Sequence, residues 1–194
     1  YELGHEVLAV DRDIRRVQDL ADEVTHAVQA DGADPEAMRE LGVADFDAAV
    51  VAISSELEPS ILTTLTLRDL GVRYIIAKAA NAQHARILER LGVDRVVFPE
   101  RETGVRLAHT FAARAVLDYM DLGPGYGIAK AMPPDDFIGK TLEELNIRER
   151  YGLTLVAVIH GKEVVMHPHR SERLGPGDIF VVAGRDEDLE RIQA

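Results

Sequence analysis

The chain has 194 residues, of which 46% are hydrophobic, and its 34 acidic and 22 basic side chains give a formal net charge of -12. This acidic balance argues against a nucleic-acid surface, because phosphate contacts need clustered Lys and Arg. The absence of cysteine excludes disulfides, thiolate catalysis and cysteine–zinc sites, and no apolar run reaches the roughly 18–20 residues of a membrane-spanning helix.

The first hundred residues alternate short apolar runs with helical patterns. The apolar runs predict strands at Val7–Val10, His26–Gln29, Ala48–Ile53, Tyr74–Ala77 and Arg95–Phe98. Helices are predicted between them at Asp13–Glu23, Pro35–Leu41, Ser60–Leu70 and Gln83–Leu91. Near-continuous apolar strands are typical of parallel strands that are covered on both faces. The alternation therefore predicts an α/β fold with a Rossmann-like, doubly wound parallel sheet.

The first residues predict that the chain starts within such a fold. Residues 1–11 have the pattern of a helix end, a glycine stop at Gly4 and an apolar strand that ends on Asp11. This is the pattern of the second strand of a dinucleotide-binding unit. We therefore expect the first strand and its glycine-rich turn to precede Tyr1, so that the predicted domain lacks its first strand here.

Glycine and proline mark the helix ends. Asp34 is predicted to cap the helix that begins at Pro35, because Asp favours the N-cap and Pro the first turn. A Leu-Gly-Val triplet follows three of the helices, and its glycine suits a left-handed cap. The three glycines are Gly42, Gly71 and Gly92.

A longer helix is predicted after Pro99, across Arg101–Leu122, followed by a glycine-rich linker at residues 123–127. Its wide apolar face must be buried, either within its own domain or against a partner subunit. Short strands and helices then predict a small α+β domain. The division is therefore residues 1–98 for the N-lobe, 99–125 for the crossover helix and linker, and 126–194 for the C-lobe.

The best ligand candidates follow the predicted strands, because ligands of open α/β sheets bind at the carboxyl ends of strands. Asp11 can accept hydrogen bonds from an adenosine ribose, although a strand-end acid or a helix cap is the alternative. Asp31, Gly32 and Ala33 lie where the adenine would rest, or form an ordinary turn.

Three further polar residues lie at the same predicted edge. Ser54 suits a ribose or phosphate contact or is a polar strand end. Lys78 suits a phosphate or an ion pair with an acid such as Glu100. Glu100 would tolerate nearby phosphates only with a bridging cation.

His167 and His169 form a close pair without an evident third metal ligand. With no nucleophile motif, the pattern indicates a sensor and not an enzyme.

These segments, together with Phe98-Pro99-Glu100, Gly139-Lys140-Thr141-Leu142 and Gly175-Pro176-Gly177-Asp178, resemble the RCK (regulator of potassium conductance) family, of the KtrA/TrkA type. The resemblance covers essentially the whole chain. It implies a cytoplasmic regulatory subunit, peripheral at the inner face of the membrane, that is not itself inserted. It also implies a homodimer, commonly an octameric ring, docked on an integral-membrane potassium-translocating subunit.

The resemblance implies gating by ATP against ADP, or binding of NAD(H) in some relatives, and assigns the nucleotide-binding residues Asp11, Arg12, Asp31, Gly32, Ala33, Ser54 and Lys78. Glu100 matches an acid that holds a divalent cation or sodium beside the phosphates. C-lobes of the family can bind cyclic di-AMP, and the matching positions are Arg148 and Thr154. Thr154 and Arg170 differ from the residue types of relatives.

Two other functions fit parts of the pattern. One is an NAD-binding fragment of a dehydrogenase, which would need a catalytic His or Lys at a nicotinamide. The other is the regulatory tail of an antiporter or channel.

Overall fold

The computed structural model describes residues 1–53, 55–112 and 115–191. The chain divides into two compact units, Tyr1–Pro99 and Glu100–Ala194. Within the described residues, every helix is too short or too polar to cross a membrane.

Strands and helices alternate along the first unit, as predicted. The strands are β1 Leu8–Asp11, β2 His26–Gln29, β3 Ala48–Val51, β4 Tyr74–Lys78 and β5 Arg95–Val97. The helices are α1 Ile14–Leu20, α2 Pro35–Glu40, α3 Leu57–Asp69 and α4 Ala82–Arg90. The predicted α/β class with parallel strands is confirmed.

The strands of this unit pair in two groups. β1 and β2 are parallel, and β3, β4 and β5 form a second parallel sheet in that order. Among the described residues, no strand joins β1 to β3. The core lies around β4, where Ile75 and Ala77 are fully buried against Leu88 of α4.

Side-chain caps fix where the helices start. The Asp34 carboxylate accepts hydrogen bonds from Glu36 and Ala37 N–H, and Pro35 occupies the first turn, as predicted. Asp13 caps α1 and Asn81 caps α4 in the same way. Such caps pair backbone donors that have no partner within the helix. The predicted left-handed glycines all have positive φ, 67° at Gly42, 86° at Gly71 and 79° at Gly92.

The second unit is a mixed α+β lobe. Its elements begin with α5 Pro99–Ala112, which starts one residue before the unit, and continue with β6 Val116–Gly123, β7 Tyr126–Ala131, α6 Leu142–Leu145, α7 Ile147–Tyr151, β8 Thr154–His160, β9 Glu163–Met166, β10 Ile179–Arg185 and α8 Asp186–Arg191. The strands form one antiparallel sheet in the order β6-β7-β10-β8-β9. Its core is centred on Phe137, Leu145 and Phe180.

The predicted helix across Arg101–Leu122 is wrong in its second half, because residues 116–123 form β6. The predicted linker at residues 123–127 is instead the tight β6–β7 turn, in which Gly125 has a φ of 75°. β6 carries irregularities between Val116 and Asp118 and between Asp121 and Gly123. These irregularities break the alternation of faces, so the strand does not show the usual period of two.

Tyr119 of β6 is held on three sides within this lobe. Its hydroxyl donates to Asp186 Oδ1 at 2.7 Å, and its ring stacks on His109 of α5 with centroids 3.8 Å apart. Gly127 of β7 lies against the ring, where a Cβ atom would overlap ring atoms. Burial, and then the nearby Asp186 carboxylate, raise the pKa of Tyr119, so its hydroxyl remains a donor.

Candidate functional site

A cleft of about 610 Å³ in the first unit runs between β1 and β3. It is lined by both strands, by the turn after β2, by Met38 of α2, and by Thr63 and Leu67 of α3. Four residues from the predicted nucleotide set line it, namely Asp11, Arg12, Asp31 and Gly32. The lining runs along the whole length of β1 and β3. The four predicted residues end or follow a strand, which is where ligands of open α/β folds bind.

Asp11 lies at the end of β1 with its carboxylate fixed in place. Its Oδ1 accepts the Asp13 N–H at 2.9 Å, and its Oδ2 lies 3.4 Å from Nη1 of Arg16. The Asp13 N–H, followed by Arg16, lowers the pKa of this carboxyl. Asp11 is therefore ionised at neutral pH and still has lone pairs for ribose hydroxyls. Asp13, not Asp11, caps α1.

An ion pair connects the two sides of the cleft. Nη2 of Arg12 lies 3.2 Å from Oε2 of Glu56, which immediately precedes α3. Both side chains are about half exposed, so the pair contributes on the order of 0–1 kcal/mol to stability. Arg12 and Arg16 place two guanidinium groups at the cleft, and guanidinium groups suit phosphate oxygens.

The turn after β2 forms the opposite part of the cleft. Asp31 Oδ1 accepts the Ala33 N–H at 2.9 Å, which is a local turn contact. Gly32 packs against Thr63 of α3, whose Cγ2 and Oγ1 would lie 3.0 and 3.1 Å from a Cβ on Gly32. A larger residue at position 32 would therefore push against α3.

Other predicted residues are not brought to the cleft wall. Ala33 adjoins the cleft without lining it, and Lys78 ends β4, one strand away from β3. Ser54 lies outside the described residues, although the neighbouring Ser55 lines the cleft. Glu100 is an exposed residue in the first turn of α5 and belongs to the second unit.

Arg16, Glu56 and Thr63 are among the cleft residues that the sequence analysis missed. Arg16 lies on α1, five residues after Asp11. Its closeness to Asp11 in the sequence could have indicated that it reaches the same cleft. Glu56 follows the strand-end serines directly. No sequence pattern marked Thr63 as a binding residue, because the hydroxyl of a Thr within a helix usually contacts only the backbone of that helix or solvent.

A second cavity, of about 740 Å³, lies within the C-terminal unit. Both residues of the predicted cyclic di-AMP site, Arg148 and Thr154, line it. Arg170 adds a second guanidinium group, whereas Glu143 and Glu149 add acidic groups. The paired guanidinium groups give this cavity donors for phosphate oxygens.

His160 of β8 holds the loop before β10. Its Nδ1 lies 2.9 Å from Oδ1 of Asp178, and its Nε2 lies 3.3 Å from Oε1 of Glu172. The Glu172 contact is an ion pair without good hydrogen-bond alignment. The hydrogen bond to Asp178 is the main reason that the pKa of His160 is raised.

The C-terminal unit should therefore gain stability on acidification around neutral pH. A raised folded-state pKa means that the contribution is complete below the unfolded value of about 6.5 and is lost as pH rises through the folded value. The difference in melting temperature between wild type and His160→Gln should be larger at pH 6 than at pH 8.5. His160→Gln should keep the neutral packing, so a difference that is the same at both pH values would contradict a charged His160–Asp178 pair.

Among the described residues, no group of three or more His, Asp or Glu side chains is arranged to hold a metal. The two neighbouring histidines have different surroundings. His169 Nδ1 contacts Ser171 Oγ at 2.8 Å, and His167 lines the C-terminal cavity.

Two family descriptions match the chain. A TrkA-N domain covers residues 1–99, and a TrkA-C domain covers residues 129–194. The first span coincides with the first unit, and the second span covers the second unit from within β7 onward.

Three sequence relatives that match nearly the whole chain are named as potassium uptake proteins. Ktr system potassium uptake protein C of Bacillus subtilis (strain 168) is 38% identical over 192 residues, which are 99% of this chain and 87% of that protein. Ktr system potassium uptake protein A of the same organism is 34% identical and that of Vibrio alginolyticus 32%, with 100% and 96% of this chain covered and 87% and 84% of those proteins.

Solved structures share the fold. The crystal structure of the GsuK RCK domain superposes with a TM-score of 0.66 at 23% identity, covering 100% of this chain and 43% of that chain. The chain thus spans less than half of that structure, and the likeness concerns the fold alone.

Proposed function

The chain belongs to the TrkA-N/TrkA-C (RCK) family of regulatory proteins of Ktr-type potassium uptake, and we propose that it is a cytoplasmic subunit that gates a potassium-translocating partner in response to ATP and ADP. Family membership supports the transport role. The nucleotide role rests on the cleft of the first unit.

The observation that carries the nucleotide role is the meeting of Asp11 with Arg12, Arg16, Asp31 and Gly32 at one cleft. An ionised Asp11 provides acceptors for two ribose hydroxyls, as acids at this strand end do in dinucleotide-binding folds. The two guanidinium groups suit the phosphates, and the Gly32 turn allows a base to approach the backbone. Ribose, phosphate and base therefore each have a chemically suited partner.

Gating follows from unequal contacts. ATP carries one phosphate more than ADP, so it gains extra contacts only in a conformation that brings donors to the γ-phosphate. A ligand shifts a conformational equilibrium only by its difference in affinity for the two states. We propose that Lys78 and Ser54 contribute on the phosphate and ribose side, and that Glu100 holds a divalent cation or sodium which offsets its repulsion from the phosphates.

The proposed assembly is a homodimer that forms an octameric ring at the inner face of the membrane, bound to an integral-membrane potassium-translocating subunit. The relatives named as Ktr potassium uptake proteins support such a partner. We propose no enzymatic activity for the chain itself.

A second ligand is proposed for the C-terminal cavity, where Arg148 and Thr154 come together with Arg170. Two guanidinium groups at one cavity suit a dianionic ligand such as cyclic di-AMP. This cavity lies wholly in the second unit, so none of its lining residues belongs to the first-unit cleft.

Calorimetric titration of the full chain with ATP, ADP, NADH and cyclic di-AMP tests these roles together. We expect micromolar binding of ATP and ADP, and an ATP preference that depends on the added cation and is reduced in Glu100→Gln. Arg148→Ala should weaken cyclic di-AMP alone. Absence of adenine-nucleotide binding would contradict the proposed sensor, and oxidation of NADH by a carbonyl substrate would favour a dehydrogenase.

A further inference from the structure

Two hydroxyl groups on α3 are buried without a hydrogen-bond partner in the described part of the chain, Ser60 Oγ and Thr63 Oγ1. Nearby hydroxyls of the same helix are satisfied, since Thr64 donates to the Ser60 carbonyl at 2.7 Å and Thr66 to the Ala33 carbonyl at 3.3 Å. Buried polar groups are normally paired, and an unpaired one calls for an explanation such as a ligand or a water molecule.

The two unpaired hydroxyls differ in their surroundings. Thr63 lines the first-unit cleft, whereas Ser60 is fully buried and is not among the cleft residues. They are three residues apart and so lie on one face of α3. Only Thr63 is therefore placed to meet a molecule in the cleft.

Thr63 also lies against the turn where the nucleotide base is expected. Its Cγ2 and Oγ1 pack directly against Gly32, 3.0 and 3.1 Å from where a Cβ on that glycine would lie. Asp11, the proposed ribose ligand, lines the same cleft. A hydroxyl both donates and accepts a hydrogen bond, so it can pair with a ring nitrogen or an exocyclic amino group of a base.

We propose that Thr63 is a binding residue for the nucleobase, and that its hydroxyl gains its missing hydrogen bond from the base when the cleft is occupied. This inference rests on the proposed nucleotide-binding function. The hydroxyl oxygen is enclosed in the ligand-free structure, so contact with the base requires a rotation about the Cα–Cβ bond that exchanges the staggered positions of the Thr63 hydroxyl and methyl groups.

Removing the hydroxyl should have opposite effects on the empty and occupied protein. Thr63→Val keeps the shape and deletes a polar group that is unpaired without ligand, so the melting temperature of the ligand-free protein should stay equal or rise. ATP and ADP should each bind about 3- to 10-fold more weakly, the range for one neutral hydrogen bond. A purely structural Thr63 would not give this combination.

The experiment is calorimetric titration of the full chain, as wild type, Thr63→Val, Thr63→Ser and Ser60→Ala, with ATP, ADP and ribose 5-phosphate. We expect weaker ATP and ADP binding in Thr63→Val, recovery in Thr63→Ser and no change in the control Ser60→Ala. Ribose 5-phosphate has no base, so its affinity should be the same in all four proteins.

Two results would overturn the assignment. Wild-type affinity of Thr63→Val for ATP would show that the hydroxyl makes no contact with the ligand. An equal loss for ribose 5-phosphate would place the contact on the ribose or phosphate instead. If wild type bound no nucleotide, the proposed function itself would fall, which is distinct from a failure at Thr63 alone.

Discussion

Asp11→Ala should weaken the binding of ATP and of ADP by about 10- to 100-fold each, because a hydrogen bond to a charged group is worth roughly 1.5–3 kcal/mol. The loss should be equal for the two nucleotides, since the ribose is common to both. Asp11→Asn should lie between wild type and Asp11→Ala, because the amide keeps one acceptor oxygen for the Asp13 N–H. Isothermal titration of the three proteins measures these differences.

Asp13→Asn is the matched control for that experiment. It removes the same charge two residues away, keeps an N-cap residue on α1 and does not line the cleft. Asn and Asp are about equal as N-caps, so nucleotide affinity should be nearly that of wild type. Equal losses in Asp11→Asn and Asp13→Asn would mean that only the net charge matters, and unchanged affinity in Asp11→Ala would remove the ribose assignment.

Gly127→Ala should destabilise the C-terminal unit by about 2–3 kcal/mol, near the upper part of the usual range for overpacking. The added methyl group would overlap the Tyr119 ring. The ring has little freedom to move, because its hydroxyl donates to Asp186 and its face stacks on His109. Urea unfolding followed by a probe in the C-terminal sheet gives the free energy of unfolding.

Gly104→Ala and a double mutant separate overlap from a general glycine effect. A Cβ on Gly104 in α5 meets no atom within 4 Å, so Gly104→Ala should be neutral or stabilising by up to about 1 kcal/mol. Introducing Gly127→Ala into a Tyr119→Ala background should cost much less than in wild type. A full cost in that background would show that the ring is not what excludes the side chain.

The alternating part of the fold was predictable because each local signal agreed with the next. The strand at His26–Gln29 and the cap at Asp34 lie where the sequence indicated. Three helices end at a glycine with a left-handed backbone conformation, which glycine adopts more readily than any other residue type. In such segments, turn chemistry and apolar period favour the same structure.

The strand β6 was mispredicted for a physical reason. Its buried residues Val116 and Tyr119 are three apart, which is a helical spacing, because irregular pairing with β7 shifts the faces of the strand. Periodicity alone cannot separate this pattern from the end of the preceding helix. Only the pairing with β7 decides, and that pairing is a tertiary contact.

The candidate site was predictable at its strand ends and not within its helices. Asp11 and Gly32 follow strands, where topology alone places them at a common edge. Thr63 reaches the cleft only through the packing of α3 on the turn after β2, and Glu56 through an ion pair between residues 44 apart in sequence. Contacts between residues so far apart in sequence depend on how separate elements pack, and no local sequence pattern encodes that packing.

The Asp11 carboxylate is oriented before any ligand binds. Its Oδ1 accepts the Asp13 N–H at 2.9 Å, and its Oδ2 lies 3.4 Å from Nη1 of Arg16. Ordering a flexible side chain on binding costs about 0.5–1.5 kcal/mol, and a carboxylate that is already held avoids much of this entropic cost. A ribose contact at Asp11 would therefore add to affinity without first having to order its acceptor.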